Sequence, residues 1–317
     1  MPEATTVELD AQYRQLREEA GLLDRSDRGK ILVSGADAAE YLQGQLTNDV
    51  EALGEGEGCY AALLDRKGHL QSDMRVLRLP DGSWLDLESA PTPTVLSHLR
   101  TYSIGREVEI ADVSDEWAIL ALIGPRAAEL AGFEGLGPEH AQRSRRWDGV
   151  DVRGVATSLG VDLIVPAGDA GTLRELALAA GAVEVGDDAA EIIRIESGIP
   201  RFGAEMNAET MPAEAGIVDA AVSFTKGCYI GQEPVARLHY KGRPNRHLRG
   251  LELSAPAEPG RELRLGDRTV GRIGSSCLSP ARGPIALAIV RREAEPGAEL
   301  AVGEAGVTAR VVDLPFG

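Results

Sequence analysis

The sequence predicts an α+β protein: two sheets, each backed by helices, followed by a smaller all-β region. Three observations predict it. At 317 residues the chain is long for one hydrophobic core, so two or three compact units are expected. Through residue 240, β-type and helical runs alternate. After residue 249 helix signals fade, and short strand candidates sit between Pro/Gly-rich turns, the texture of a barrel or sandwich. The boundary falls between 240 and 247, giving regions 1–240 and 241–317.

The elements follow in order. Leu9, Tyr13, Leu16, Leu22 and Leu23 space an amphipathic helix over 9–23. A strand at 30–33 leads into a helix over 36–46, with Ala39, Tyr41, Leu42 and Leu46 on its apolar face. Thr47, Asn48 and Asp49 then prefer a cap or turn to a helix interior. Strands at 59–64 and 70–79 flank the turn Asp65-Arg66-Lys67-Gly68. A strand at 84–88, a helix at 92–102, strands at 108–110 and 117–123 and a short helix ending at Leu130 come next. Residues 133–148 hold Gly135, Gly137, Pro138 and the run Arg143-Ser144-Arg145-Arg146, and read as a loop. A hairpin covers 150–165, and helices at 172–180 and 188–197 enclose a strand at 183–185. Short strands at 248–253, 262–265, 269–273, 285–290 and 307–312 make up the all-β region.

Composition narrows the function classes. A net charge of −17 disfavours broad nucleic-acid binding. No apolar run approaches the ~20 residues of a membrane span, and the acidic, polar opening segment is unlike a secretory signal. Cys59, Cys228 and Cys277 are odd in number and widely separated, with no C-x-x-C pair. That argues against a disulfide framework and against a self-contained metal or cluster site. A reduced, cytoplasmic, monomeric protein is expected, with no nucleic-acid or membrane partner.

Chemistry concentrates in Lys226-Gly227-Cys228-Tyr229-Ile230-Gly231-Gln232-Glu233-Pro234. Two glycines frame a thiol and a phenol, so Cys228 is expected on a tight loop. Lys226 beside it favours thiolate, and Pro234 biases Glu233 away from the helical region. From 226 to 249 the chain carries Lys226, Arg237, Lys241, Arg243, Arg246 and Arg249 against the single acid Glu233. A basic stretch on an acidic protein suggests an anionic ligand.

The octapeptide ending at Glu233 resembles the signature of the YgfZ family, relatives of the glycine-cleavage T-protein (aminomethyltransferase). Members bind tetrahydrofolate and support assembly or repair of iron–sulfur proteins. Weaker matches run in order through residues 30–235, and the tail has the length of the family's terminal barrel. The resemblance implies two sheet-plus-helix lobes and a small C-terminal β-barrel, arranged as a three-domain ring around a folate channel. It implies tetrahydrofolate or a one-carbon derivative as cofactor, and iron–sulfur client or assembly proteins as partners.

The same resemblance assigns residues. Arg194-Ile195-Glu196-Ser197-Gly198 is similar to the family's R-x-E-x-G segment, which makes Glu196 the pterin ligand. Asn48 and Asp49, in the segment that resembles L-T-N-D, and Lys226 and Tyr229 are implied as further ligand contacts. Arg237 and Arg243 are the basic side chains toward which the acidic tail of folate would lean. Met211-Pro212-Ala213-Glu214-Ala215-Gly216 shapes the approach to the thiol loop. Where T-proteins carry the paired acids of G-x-x-D-D, this chain has Ser72-Asp73. Two close carboxylates tune one another's proton affinity, and a lone Asp73 loses that coupling. Cys228, which ordinary T-proteins lack at that place, points to folate-dependent assistance to iron–sulfur clients. The thiol has three roles open to it: nucleophile, partner in a transient mixed disulfide, or one ligand to a cluster carried by another protein. The alternative is an enzyme, a folate-dependent aminomethyl transferase with Asp73 catalytic and Cys228 incidental.

Overall fold

The computed structural model describes residues 6–304 and 306–316. Its contacts divide the chain into two compact units, neither continuous in sequence. The first comprises residues up to Leu64, Gln71–Ala190 and Ala220–Ile230; the second comprises Asp65–Leu70, Glu191–Asp219 and the chain from Gly231 onward.

The first unit contains two sheets. One has five strands in the order Gly58–Leu64, Leu70–Leu79, Gly82–Leu87, Gly29–Ser34, Glu109–Asp112. Helices Ala38–Gln45 and Thr92–Tyr102 cover one of its faces, packing Tyr41, Leu42, Val95 and Leu99 against Ile31, Val33, Val76 and Leu85. The other has six strands in the order Val183–Glu184, Gly21–Asp24, Trp117–Ile123, Gly160–Pro166, Val150–Thr157, Gln142–Trp147. Helices Ala127–Ala131 and Ala170–Ala179 lie against Leu120, Leu122 and Leu163 on its outer side. The inner faces meet through Leu77, Trp84, Ile119, Val155 and Ile164.

Successive strand residues point to opposite faces. Met74 and Val76 therefore serve the helix-covered core, while Arg75 and Leu77 face the second sheet. Arg75 bridges the two sheets, pairing with Asp86 (2.5 Å) and Asp162 (2.8 Å). Arg28 holds the other oxygen of Asp86 (2.5 Å) and also Glu88 (2.5 Å). Charges in this interior are tolerable because each is paired.

The second unit is built on a closed six-stranded barrel in the order Arg246–Leu253, Gly283–Arg291, Arg268–Ser279, Glu262–Leu265, Glu299–Val302, Val307–Val312. Leu251, Leu263, Ile273, Ala288, Val290, Leu300 and Val311 fill it. Ile285 and Leu287 join Ile195 and Phe316 in a separate apolar cluster, which seats the end of helix Asp187–Glu196. Two sheet-plus-helix lobes and a terminal barrel are thus present, as expected. No helix among the described residues is long and apolar enough to cross a membrane.

Four local expectations are corrected. The first helix spans Thr6–Glu18, and Leu22 and Leu23 belong to strand Gly21–Asp24. A Cβ at Gly21 would lie 2.5 Å from Leu16 Cδ2 and 2.7 Å from Val185 Cγ1, so only glycine permits that approach. The run Arg143–Arg146 lies in edge strand Gln142–Trp147 rather than a loop. Arg145 there stacks over the Trp147 ring (4.9 Å) and donates to the Ala131 carbonyl (3.0 Å). The segment after the thiol loop is a helix, Gln232–Lys241, with Pro234 in its first turn. An N–H at that position would have no intrahelical acceptor, so proline is tolerated and Glu233 is helical. Strand Glu299–Val302 escaped the sequence reading, and the strand expected at 269–273 continues to Ser279.

Candidate functional site

In the first unit the site is organised by the turn that ends helix Ala38–Gln45. Thr47 is wholly buried; its Oγ1 donates to the Ala221 carbonyl (2.6 Å) and accepts the Ala62 amide (2.8 Å). Asn48 Nδ2 donates to the carbonyls of Tyr60 (2.8 Å) and Ala220 (3.0 Å). Asp49 Oδ1 accepts from Gln43 Nε2 (2.8 Å). These three residues fasten the turn to strand Gly58–Leu64 and to the segment that enters the thiol loop.

Lys226 completes the arrangement. Its Nζ donates to the carbonyls of Gln43 (2.6 Å), Leu46 (2.6 Å) and Asn48 (2.8 Å) and sits 5.2 Å from the centre of the Tyr229 ring. An ammonium at the C-terminal end of a helix also meets the negative pole of its dipole. Burial pulls Lys226 down to about 8, against the opposing pull of Asp49, Cys59 and Glu51. All three of its donors are used on the turn. Burial pushes the Cys59 thiol up to about 12, and Lys226 only partly offsets it. Cys228 itself is exposed. Tyr229 is buried, its Oη has no partner among the described residues, and burial pushes the phenol up to about 12.

Asp73 lies on strand Leu70–Leu79 beside Tyr60. Tyr60 Oη donates to Asp73 Oδ2 (2.7 Å), while Asp73 Oδ1 is enclosed and has no partner among the described residues. Burial raises the proton affinity of this carboxyl, against the Tyr60 hydrogen bond and the Arg28 charge. Ser72 is fully buried and points to the opposite face, its hydroxyl bonded to the carbonyl of Asp73 (2.8 Å). An acid at position 72 would share no site with Asp73. The expected loss of coupling between paired carboxylates is therefore no loss at this strand.

Asn48, Asp49, Lys226, Tyr229 and Asp73 are thus drawn together in the first unit through the turn and Tyr60. Tyr60 was missed by the sequence reading. Its alternation with Cys59 in a strand is visible in the sequence, but its partner thirteen residues on is not.

The second unit holds Glu196, the last residue of helix Asp187–Glu196. Its Oε1 accepts from Ser279 Oγ (2.5 Å), and that hydroxyl accepts the amides of Ala281 (3.1 Å) and Arg282 (3.0 Å). Arg194 donates to Ser275 Oγ (2.5 Å) and pairs with Glu191 (2.7 Å) and Glu205 (3.2 Å). Ser275, Cys277 and Ser279 alternate along one barrel strand, so Arg194 and Glu196 grip the same strand. Burial first, then Glu196 and Glu191, push the Cys277 thiol up to about 12. Glu214 accepts the Met211 amide (3.0 Å) and pairs with Arg246 (2.8 Å), a bracing role for its turn. Arg237 and Arg243 are exposed, Arg237 in a 3.5 Å pair with Glu233.

Residues 3–226 match the family described as the GCVT N-terminal domain, and residues 246–316 match the glycine cleavage T-protein C-terminal barrel domain. An aminomethyltransferase of Rubrobacter xylanophilus is 33% identical over 97% of this chain and 86% of its own length. One from Listeria monocytogenes is 29% identical over 97% of this chain and 89% of its own. The crystal structure of the glycine cleavage system aminomethyltransferase T from Bartonella henselae superposes with a TM-score of 0.89 at 25% identity, covering 100% of this chain and 91% of that one. With both domains matched, the chain belongs to the glycine cleavage T-protein family.

Proposed function

We propose that this protein is a tetrahydrofolate-dependent one-carbon transferase of the aminomethyl kind, with Asp73 as its proton-handling group. One observation carries the reading: an enclosed carboxyl with one oxygen bonded to Tyr60, the other without a partner among the described residues, and a raised proton affinity. A buried polar atom without a partner is costly in a fold that pairs its neighbours, and such groups concentrate at functional sites. The names of the Rubrobacter and Listeria relatives agree with the class.

The residues present fit a folate. Asp73 Oδ1 and Tyr229 Oη are two buried polar atoms without partners among the described residues, suited to an amine-bearing ligand. When bound, tetrahydrofolate would supply the nitrogens that accept the carbon. This chain's part is to take or return a proton at Asp73 Oδ1, with Asn48 and Asp49 shaping the wall and Lys226 holding the Tyr229 loop in place. Glu196 remains the proposed pterin ligand, and Arg237 and Arg243 the proposed contacts for the glutamate tail.

Asp73→Asn keeps the shape and removes the acid. The expected result is loss of tetrahydrofolate-dependent formation of methylene-tetrahydrofolate, with tetrahydrofolate affinity retained in anaerobic calorimetry. Retained formation in the variant would overturn the reading. Weakened binding in Glu196→Ala would support the pterin contact.

A second reading rests on Cys228. Alone of the three thiols it is exposed, the other two being partly buried and pushed up to about 12. That favours an accessory role of the YgfZ kind, in which the thiol acts on iron–sulfur clients and folate binding supports it. Cys228→Ala with folate binding intact and client-enzyme activity lost would select this reading. Unchanged client activity would leave the transferase.

A further inference from the structure

A carboxylate has two equivalent oxygens until something distinguishes them. At Asp73 the distinction is made, among the described side chains, by the 2.7 Å hydrogen bond from Tyr60 Oη to Oδ2. We propose that Tyr60 is the positioning residue of Asp73: its hydroxyl occupies Oδ2 and reserves Oδ1 as the oxygen at which the reacting proton is held. The inference rests on the transferase reading of Asp73.

The surroundings support a fixed donor. Burial, with Asp73 next, pushes the Tyr60 phenol well above its ordinary range, so it keeps its proton at neutral pH and can only donate to the carboxylate. The backbone of Tyr60 is tied in turn, its carbonyl accepting from Asn48 Nδ2 (2.8 Å). Two other charged groups face the carboxyl. Arg28, ahead of strand Gly29–Ser34, favours the ionised form, and Glu88, after strand Gly82–Leu87, opposes it. Arg28 is itself engaged by Asp86 and Glu88 (both 2.5 Å), which leaves Tyr60 as the side chain bonded directly to Asp73. A hydrogen bond to the charged form favours that form, so Tyr60 opposes the rise that burial imposes.

The test reads the carboxyl itself. Protein labelled with carboxyl-13C aspartate is titrated by NMR without ligand, the Asp73 signal being assigned by its absence in Asp73→Asn. Tyr60→Phe should move the Asp73 titration upward. Replacing Tyr60 with 3-fluorotyrosine, a more acidic phenol and a stronger donor, should move it downward. The pH profile of kcat should follow the same order, with KM for tetrahydrofolate changing by less than about twofold. A purely structural tyrosine would give shifts of one sign or none, and either result overturns the proposal. If the titration does not move but Asp73→Asn is inactive, Tyr60's role alone falls. If Asp73→Asn remains active, the transferase reading falls and takes Tyr60's part in proton handling with it.

Discussion

Ser279 has one proton to give, and it gives it to Glu196. Both lone-pair positions of the hydroxyl are taken by the amides of Ala281 and Arg282, so its hydrogen is directed at Glu196 Oε1 (2.5 Å). The arrangement requires Oε1 to be an acceptor and fixes the rotamer of a carboxyl that is only 5% exposed.

Ser279→Ala therefore strips two amides and a buried carboxylate of a partner at once. The expected cost is about 1–3 kcal/mol, read as a lower midpoint in denaturant, together with weaker tetrahydrofolate binding. Ser279→Thr should keep most of both. An alanine variant indistinguishable from wild type would contradict the assignment.

Lys226→Met removes the ammonium that three carbonyls share and should destabilise by about 2–4 kcal/mol. Lys226→Arg should not rescue it, because a planar fork cannot aim three donors at carbonyls converging on one point. Circular dichroism in urea would show it; recovery in the arginine variant would mean that charge alone matters.

Asp73 predicts a pH dependence with a defined sign. Its proton affinity is raised in the folded state above the ordinary 3.8. Below 3.8 both folded and unfolded chains hold the proton, and the contribution to stability is complete. As pH rises, the unfolded chain releases first, so stability is lost until the folded carboxyl has also ionised. The stability of wild type relative to Asp73→Asn should therefore fall from about pH 4 toward neutrality, measured as urea midpoints in a pH series. A flat difference would place no titrating carboxyl there.

Alkylation should separate the thiols. Cys228 is exposed, whereas Cys59 and Cys277 are partly buried and pushed up to about 12, leaving a thiolate fraction on the order of one in ten thousand at pH 8. Iodoacetamide followed by peptide mass spectrometry should modify Cys228 first. Equal labelling of all three would contradict the burial of the other two.

Much of the fold was legible because its signals are local. A continuous apolar run marked strand Trp117–Ile123, apolar residues spaced among polar ones marked Leu70–Leu79, and turn-rich spacing marked the barrel strands. What failed was what depends on distant partners. Strand Gln142–Trp147 is an edge, paired on one side only, so its arginines look like a solvated loop. Helix Gln232–Lys241 buries only Val235 fully and has a proline in its first turn, so neither periodicity nor propensity announces it. At the candidate site, residue types were readable and their geometry was not. Ser72 and Asp73 are neighbours in sequence but on opposite faces of a strand, and the three acceptors of Lys226 lie about 180 positions away.

That separation also bears on how the chain is made. Residues 46–48 find the last partners of their turn only at 220–226, after the intervening chain has contributed a segment to the second unit. Synthesis runs from the N-terminus, so the first unit cannot finish folding on the ribosome until the thiol loop has emerged. A nascent chain stopped near residue 200 would carry both sheets and still lack the lysine that ties the turn after helix Ala38–Gln45 to the loop.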